Sequence, residues 1–212
     1  MINHTLKQYP QLDEQLTAFA KKIVSRPNLY LSKAKYDPSD KPAYNLYDPN
    51  LPILSDEFIK KHNINSTEHS DKVNNKRYSL EVAEIFKWIY DVSPPPFNVL
   101  KDLISTIETI SGKKFQRVRG NFLYPPGGFM GWHTNSDVPG TRCYVVYNDK
   151  ENEGYFKYLD RKTGPAPFIT TSHDRAGWNI RFFDITSSPQ DYLWHCVYAG
   201  NSFRISYGFM LV

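Results

Sequence analysis

The chain of 212 residues has 26 basic and 22 acidic residues, a formal net charge of +4, and contains 40% apolar and 15% aromatic residues. This length and composition predict one domain with a sizeable core, and dispersed charges of both signs argue against a nucleic-acid-binding surface. No long uncharged apolar run and no secretory leader pattern occurs, so we expect a soluble, cytoplasmic protein without a membrane partner.

The first part of the chain predicts one helix followed by a long irregular segment. Apolar residues from Leu12 to Ile23 recur at helical spacing, and the pattern stops before Arg26-Pro27. Residues 27 to 78 are rich in Pro, Asn, Asp and Ser, which favours a surface excursion that could border a substrate site. One short helix is expected within it, around Glu57 to Lys61.

Helical spacing returns in two segments before the middle of the chain. The first runs from Val82 to Ile89 and stops at Pro94-Pro95-Pro96, and the second runs from Leu100 to Ile110 and is ended by Gly112. We therefore interpret residues 1–114 as a helical and loop-rich supporting region.

After Lys114 the pattern changes to short β-branched and aromatic runs separated by Pro and Gly. The predicted strands are Phe115 to Leu123, Arg142 to Tyr147, Gly154 to Tyr158, Trp178 to Ile185 and Ser202 to Leu211. Strands at this spacing indicate a β-sandwich or barrel covered on one face by the preceding helices. The sequence thus predicts a single α+β domain whose barrel, residues 115–212, is jelly-roll-like.

Both cysteines, Cys143 and Cys196, lie within apolar strand-like runs. Such residues are typical of buried free thiols in a reducing compartment. The tryptophans Trp132, Trp178 and Trp194 are interpreted as core residues for a similar reason.

The last strand places a cation on one of its two faces. Because side chains alternate along a strand, Arg204 and Ser206 share the face opposite Phe203, Ile205 and Tyr207. If that face is the barrel interior, the guanidinium needs an anionic partner. Two partners stay open: a bound carboxylate, or an internal salt bridge, for instance to Asp184 or Asp191.

Two histidines are the remaining candidates for chemistry. His133 follows a glycine-rich approach and His195 interrupts an apolar run, whereas His173-Asp174-Arg175 is expected to be a loop. Two neutral imidazoles can bind a divalent metal, and a guanidinium beside a hydroxyl can bind a carboxylate. Together these residues predict a metal with a carboxylate-bearing cosubstrate.

The order and local context of these residues resemble the iron(II)- and 2-oxoglutarate-dependent oxygenases, close to the prolyl-hydroxylase-like branch. The resemblance spans residues 117 to 212. It includes Tyr124 and the glycines before His133, Arg142 leading into Tyr147-Asn148, Glu153-Gly154, and Gly177 before the following strand. The Arg204-x-Ser206 ending looks like other branches of the superfamily, since prolyl hydroxylases commonly have a lysine there.

The resemblance implies a double-stranded β-helix that binds iron(II) and uses 2-oxoglutarate and dioxygen. His133 and His195 would ligate iron, Arg204 with Ser206 would bind the distal carboxylate of 2-oxoglutarate, and Tyr124 would donate a further hydrogen bond. The implied reaction is hydroxylation of an unactivated C–H bond of a peptide, an amino-acid-like compound or another small molecule, with release of succinate and carbon dioxide.

One position departs from the family pattern. Two residues after the first histidine, where the family has Asp or Glu, this chain has Asn135. Asn135 could ligate through its amide oxygen, Asp137 could reach the metal instead, or the position could be open. An open position would resemble the halogenases of this superfamily. A barrel-shaped binding protein that performs no oxidation is the alternative from a different class.

Overall fold

The computed structural model describes residues 2–40, 87–135, 138–160, 168–188, 191 and 193–212. Its helices are α1 (Pro10–Ser25) and α2 (Phe97–Ser111), with 3₁₀ turns at Leu6–Gln8, Pro27–Leu29 and Pro38–Asp40. Its strands are β1 (Ile2–Thr5), β2 (Lys87–Trp88), β3 (Tyr90–Asp91), β4 (Phe115–Tyr124), β5 (Phe129–His133), β6 (Gly140–Asn148), β7 (Tyr155–Asp160), β8 (Phe168–His173), β9 (Gly177–Ile185), β10 (His195–Tyr198) and β11 (Arg204–Leu211).

Helix α1 confirms the first predicted helix. Pro10 occupies the first turn, where its missing N–H costs no hydrogen bond. The residues at helical spacing, Leu12, Leu16, Ala20 and Ile23, are all buried. The helix ends at Ser25, directly before the Arg26-Pro27 sequence that predicted its end.

Helix α2 confirms the prediction over Leu100 to Ile110. Gly112 caps its C-terminus: this residue has a φ of 67°, in the left-handed region, and its N–H donates a hydrogen bond to the carbonyl of Glu108. The helix predicted from Val82 to Ile89 is wrong where it can be compared, because Lys87–Trp88 is a strand paired to β5. The strand Tyr90–Asp91, paired to β4, follows it. Tertiary strand pairing overrides the local spacing of apolar residues there.

Most of the predicted surface excursion, including the helix expected at Glu57 to Lys61, lies outside the described residues. Its described beginning makes an antiparallel bridge between Leu31 and Val92. Ser93 adds hydrogen bonds to the carbonyl of Tyr30. Residues 30 to 32 are therefore attached to the segment that precedes α2.

The strands form an antiparallel β-sandwich of the jelly-roll type. A six-stranded sheet has the order β1-β9-β6-β11-β4-β3, and a five-stranded sheet has the order β2-β5-β10-β7-β8. The pairs β4–β11, β5–β10, β6–β9 and β7–β8 are nested in sequence and alternate between the two sheets. This nesting is what results when one long hairpin folds over on itself.

All five strands predicted after Lys114 are confirmed, with small changes at their ends. Strands β5, β8 and β10 were not among the predicted strands. Each of them belongs to the five-stranded sheet. The weaker prediction for that sheet follows from its short and partly polar strands, such as Phe168–His173.

The six-stranded sheet separates two differently composed interiors. On its outer face, side chains including Ile205 and Tyr207 pack with both helices in a continuous apolar cluster. On its inner face, Tyr124 and Phe183 pack against Phe156 of the five-stranded sheet. Arg204 lies on this inner face, because its neighbour Ile205 belongs to the outer cluster and side chains alternate along the strand. The face predicted to be shared by Arg204 and Ser206 is therefore the interior.

The cysteines and tryptophans are buried as predicted. Cys143 and Cys196 are free thiols without solvent exposure. Trp178 belongs to the cluster under the helices, and Trp132 and Trp194 belong to a cluster with Cys196 on the outer face of the five-stranded sheet. Within the described part of the chain, no helix has the length and apolar character needed to span a bilayer.

Candidate functional site

The two candidate histidines lie side by side between the sheets. His195 opens β10 and pairs directly with His133 at the end of β5, and their ring centroids are 4.1 Å apart. A register shift between His195 and Val197 marks a β-bulge, since Val197 pairs with Met130, three residues from His133. Without the bulge, Met130 and His133 would face opposite sides of the sheet; the bulge turns both inward.

Each imidazole has a defined tautomer. Nδ1 of His133 lies 2.7 Å from the carbonyl of Gly131, and Nδ1 of His195 lies 2.8 Å from the carbonyl of Leu193. A carbonyl oxygen only accepts, so both Nδ1 atoms carry the proton. Nε2 of each neutral ring therefore keeps its lone pair, as a metal ligand requires.

Both rings are held neutral by their surroundings. Burial lowers the pKa of His133 to about 4, although the Gly131 carbonyl acts in the opposite direction. Burial also holds the pKa of His195 well below its ordinary value, with further lowering by His133 and by the Arg142 guanidinium. At neutral pH the pair therefore presents uncharged nitrogen donors.

Asn135 is the third side chain at this point. Its Nδ2 lies 3.2 Å from Nε2 of His195 and 3.5 Å from the hydroxyl of Tyr144. Its backbone has a φ of 55°, a left-handed conformation that asparagine tolerates better than most residues. No group of three His, Cys, Asp or Glu side chains suited to a metal occurs among the described residues, and Asp137 lies outside them.

Aromatic rings enclose the imidazole pair. Phe156 stacks on His195 with centroids 5.1 Å apart, and Phe183 lies 5.7 Å from the same ring. Tyr144 meets Phe183 edge-on at 5.0 Å. These rings exclude water from His195, which is completely buried.

Arg204 is buried on the inner face and has an internal partner. Its Nε donates to Oδ2 of Asp174 at 2.8 Å, and neither side chain is more than 1% exposed. The internal salt bridge considered for Arg204 therefore exists, but its acceptor is Asp174 and not Asp184 or Asp191. The expected loop at residues 173–175 is confirmed for Asp174 and Arg175, whereas His173 ends β8. The carboxylate of Asp174 points into the sandwich.

Arg181 is a second guanidinium on the same carboxylate. Its Nη2 donates to Oδ1 of Asp174 at 3.1 Å and to the Ser172 hydroxyl at 3.2 Å, and its Nε donates to Asn3. Burial acts to raise the pKa of Asp174, but Arg204 and Arg181 outweigh it and hold that pKa below its ordinary value. Asp174 is therefore an anion shared by two cations.

The other residues assigned to the cosubstrate lie around Arg204. The Tyr124 ring lies 5.0 Å from the guanidinium carbon of Arg204, and burial raises the pKa of its hydroxyl above the ordinary value. Ser206 is buried on the same strand face, two residues further along β11. The structure thus brings His133, His195 and Asn135 together, and it places Tyr124 and Ser206 with Arg204.

Arg181 and Asp174 are buried ionic residues of the interior that are not among the site residues predicted from the sequence. Arg181 occupies an inward position of β9, because its neighbours Ile180 and Phe182 belong to the helix-side cluster. A charged residue between apolar residues of a strand was the available signal for Arg181. For Asp174 no local signal existed, since its partners are 7 and 30 positions away in sequence.

Comparison with known proteins gives only a distant structural likeness. A solved prolyl-4-hydroxylase from Pseudomonas putida matches with a TM-score of 0.44 and 14% sequence identity, covering 68% of this chain and 85% of that chain. No family model and no curated protein matches the sequence. A likeness this distant supports no conclusion about chemistry.

Proposed function

We propose that this protein is an iron(II)- and 2-oxoglutarate-dependent dioxygenase with a double-stranded β-helix, and that it hydroxylates an unactivated C–H bond. The observation that supports this most is the pair of neutral, buried imidazoles on adjacent strands, each fixed through Nδ1 so that Nε2 keeps its lone pair. The buried guanidinium of Arg204 in the same interior is a second support, because it would bind a carboxylate.

The donor set suits iron(II). Imidazole nitrogens and an amide or carboxylate oxygen are ligands that this metal accepts. His133 and His195 would hold it through Nε2, and Asn135 through Oδ1 after a half-turn of the amide that now presents Nδ2 to His195. Asp137 remains the alternative third ligand. Bound iron(II), with 2-oxoglutarate and dioxygen, would supply the oxidising power, and succinate and carbon dioxide would be released.

The residues of the chain would bind and orient the cosubstrate and would exclude water from the site. Arg204 would hold the distal carboxylate of 2-oxoglutarate through its terminal nitrogens, because its Nε is committed to Asp174. Ser206 and Tyr124 border the same place. Phe156 and Phe183 keep water away from His195, so that the reaction would proceed in a dry, oriented site. The substrate proposed is a peptide, an amino-acid-like compound or another small molecule.

The first experiment measures complex formation without turnover. Under anaerobic conditions, iron(II) and 2-oxoglutarate should give a visible metal-to-ligand charge-transfer band with the wild-type protein. His133→Ala and His195→Ala should abolish the band, whereas His173→Ala, which removes an exposed histidine, should not. Absence of the band in the wild type would reject the proposal.

A second experiment addresses turnover and substrate. Succinate formation would be measured across pooled amino acids, peptides and nucleosides with the iron-loaded protein in air. We expect a rise with an amino-acid or peptide pool. A charge-transfer band with no succinate from any pool would favour the alternative, a barrel that binds these ligands without oxidising a substrate.

Halogenation is a less favoured alternative. It requires an open ligand position for chloride, whereas the Asn135 side chain lies 3.2 Å from Nε2 of His195. A charge-transfer band that shifts with chloride concentration would support it.

A further inference from the structure

Three buried charges lie between the sheets, and we name them the Asp174 cluster: Asp174, Arg181 and Arg204. One carboxylate accepts from two guanidinium groups, at 3.1 Å from Arg181 and 2.8 Å from Arg204. The exposed fractions of these side chains are 0%, 4% and 1%. The cluster therefore has one positive charge more than it has negative charge, in a place where unbalanced charge is costly.

The cluster connects the two sheets. Arg181 on β9 and Arg204 on β11 belong to the six-stranded sheet and are separated by β6, while Asp174 directly follows β8 of the five-stranded sheet. Arg181 is further held by Asn3 and Ser172. Both guanidinium groups are thus fixed in place before any ligand arrives.

The cluster also has more hydrogen-bond donors than acceptors. Nη2 of Arg204, Nη1 of Arg181 and Nδ2 of Asn148 are buried and have no hydrogen-bond partner among the described residues. Asn148 belongs to the same place, because its Nδ2 and Oδ2 of Asp174 lie 3.0 and 3.1 Å from the point where a Cβ atom at Gly154 would stand. Buried donors without acceptors are rare and unfavourable in folded proteins. Extra positive charge and extra donors both call for one more anion.

The cluster is close to the imidazole pair. The Phe156 ring contacts the Arg181 guanidinium at 4.8 Å and the His195 ring at 5.1 Å. The cluster and the imidazole pair therefore border the same aromatic ring.

We propose that the Asp174 cluster is a carboxylate-binding site in which Arg181 is a second anion-binding arginine beside Arg204, and in which Asp174 sets the affinity by neutralising one of the two cations. This inference rests on the proposed function, since the carboxylate would be the distal one of the cosubstrate. One remaining positive charge matches a carboxylate, which carries a single negative charge.

The experiment uses the metal-free full chain and glutarate, a diacid without the keto group that would chelate a metal. Binding would be measured by calorimetry and by the shift of the thermal midpoint with ligand concentration. Wild-type protein should bind glutarate. Arg181→Gln should weaken binding by about tenfold or more, because one charged donor group is lost. The matched control Arg175→Gln removes an exposed guanidinium from the same segment and should bind as wild type does.

Asp174→Asn should act in the opposite direction. It leaves two cations without their anion, so the variant should have a lower thermal midpoint without ligand and should recover it with glutarate or acetate. Its glutarate affinity should rise by about tenfold or more. If Asp174 had only a structural role, Asp174→Asn would lower the thermal midpoint, and glutarate or acetate would not restore it.

Either of two results would overturn the inference: no effect of glutarate on the wild type, or equal glutarate affinity of Arg181→Gln and wild type. If Arg181→Gln does not fold, Arg181→Lys keeps the charge but not the planar fork, and it should bind glutarate more weakly than wild type; equal affinity would again overturn the inference. Because no metal is present, the outcome is separate from the proposed function. Glutarate binding without a charge-transfer band would reject only the latter.

Discussion

At the residue scale, Asn135 decides how strongly the imidazole pair would hold a metal. A neutral amide donates less electron density to a cation than a carboxylate does, so Asn135→Asp should lower the dissociation constant for iron(II) by about tenfold or more. The left-handed backbone at this position accepts aspartate. Iron binding would be followed by equilibrium titration under anaerobic conditions.

The control for this change is Asn152→Asp, since Asn152 is exposed and also has a left-handed backbone, with a φ of 57°. It should leave iron affinity unchanged. The companion variant Asn135→Gly tests the ligand role directly. Full iron affinity and hydroxylation in Asn135→Gly would show that Asn135 is not a needed ligand, and Asp137 would become the residue to change.

The buried carboxylate of Asp174 predicts a specific pH dependence of stability. Burial alone would raise its pKa, but Arg204 and Arg181 lower it below the ordinary value near 4. When the pKa of a carboxylate is lowered in the folded state, its contribution to folding stability is fully present at any pH above its pKa in the unfolded state. That contribution is lost as the pH falls through the folded-state value.

Urea unfolding should therefore show wild type more stable than Asp174→Asn by about 3–5 kcal/mol at pH 7, the typical effect of removing one partner of a buried ion pair. The difference should stay constant down to about pH 4 and shrink below it. A difference that is already declining between pH 7 and pH 5 would contradict the assignment to Asp174.

At the element scale, the turn between β10 and β11 determines where Arg204 enters its strand. Gly200 has a φ of 63°, and a Cβ atom there would lie 2.0 Å from the backbone carbonyl oxygen of Glu153. In the same turn, the carbonyl of Gly200 accepts a hydrogen bond from the N–H of Gly127. No side chain fits at Gly200 without movement of the backbone that precedes Gly154.

Gly200→Ala should consequently lower the free energy of unfolding by about 3 kcal/mol or more, through strain and a backbone clash. Gly177→Ala is the matched control, because Gly177 has a φ of 81° but no atom within 4 Å of the added Cβ. It should cost only the conformational strain, about 1 kcal/mol. Equal losses in denaturant titrations of the two variants would disprove the close approach at Gly200.

Elements were predictable where one face is buried under the helices. Along β11, Ile205, Tyr207 and Phe209 alternate toward the helices, so the strand and the position of Arg204 on the opposite face follow from period-two spacing. Strand β2 lies where the spacing of apolar residues predicts a helix, and β3 follows it directly. They have two residues each, too short to show a period of their own, and they exist because β5 and β4 lie beside them.

At the scale of the whole molecule, the two thiols report on global unfolding. Cys143 lies under the helices and Cys196 on the outer face of the opposite sheet, and both are fully buried. Because opposite sheets separate them, they cannot form a disulfide within the chain. Burial also raises the pKa of the Cys143 thiol, which reduces its thiolate fraction.

A thiol-specific chromogenic reagent should therefore detect no reactive cysteine in the native protein over minutes and two cysteines in denaturant. The native rate should rise with urea in parallel with the loss of structure measured by circular dichroism. Rapid modification of one thiol under native conditions would show that a sheet opens locally without global unfolding.

The sequence by itself determined the features that depend on near neighbours along the chain. These are helices α1 and α2, the longer strands, the face of β11 that Arg204 and Ser206 share, and the candidate side chains His133, His195 and Arg204. Side-chain period, helix-ending residues and residue chemistry are local properties, so no knowledge of the fold was needed for them.

Only the tertiary structure decided which distant groups meet. The bulge that turns His133 inward depends on the register of β5 against β10, and the anion of Arg204 is Asp174 because β8 ends across the sandwich from β11. Arg181 joins that ion pair from a third strand. Charged groups interact according to their distance in space. In a nested antiparallel fold the order of the strands sets that distance, and strand order cannot be deduced from residue type and spacing along the chain.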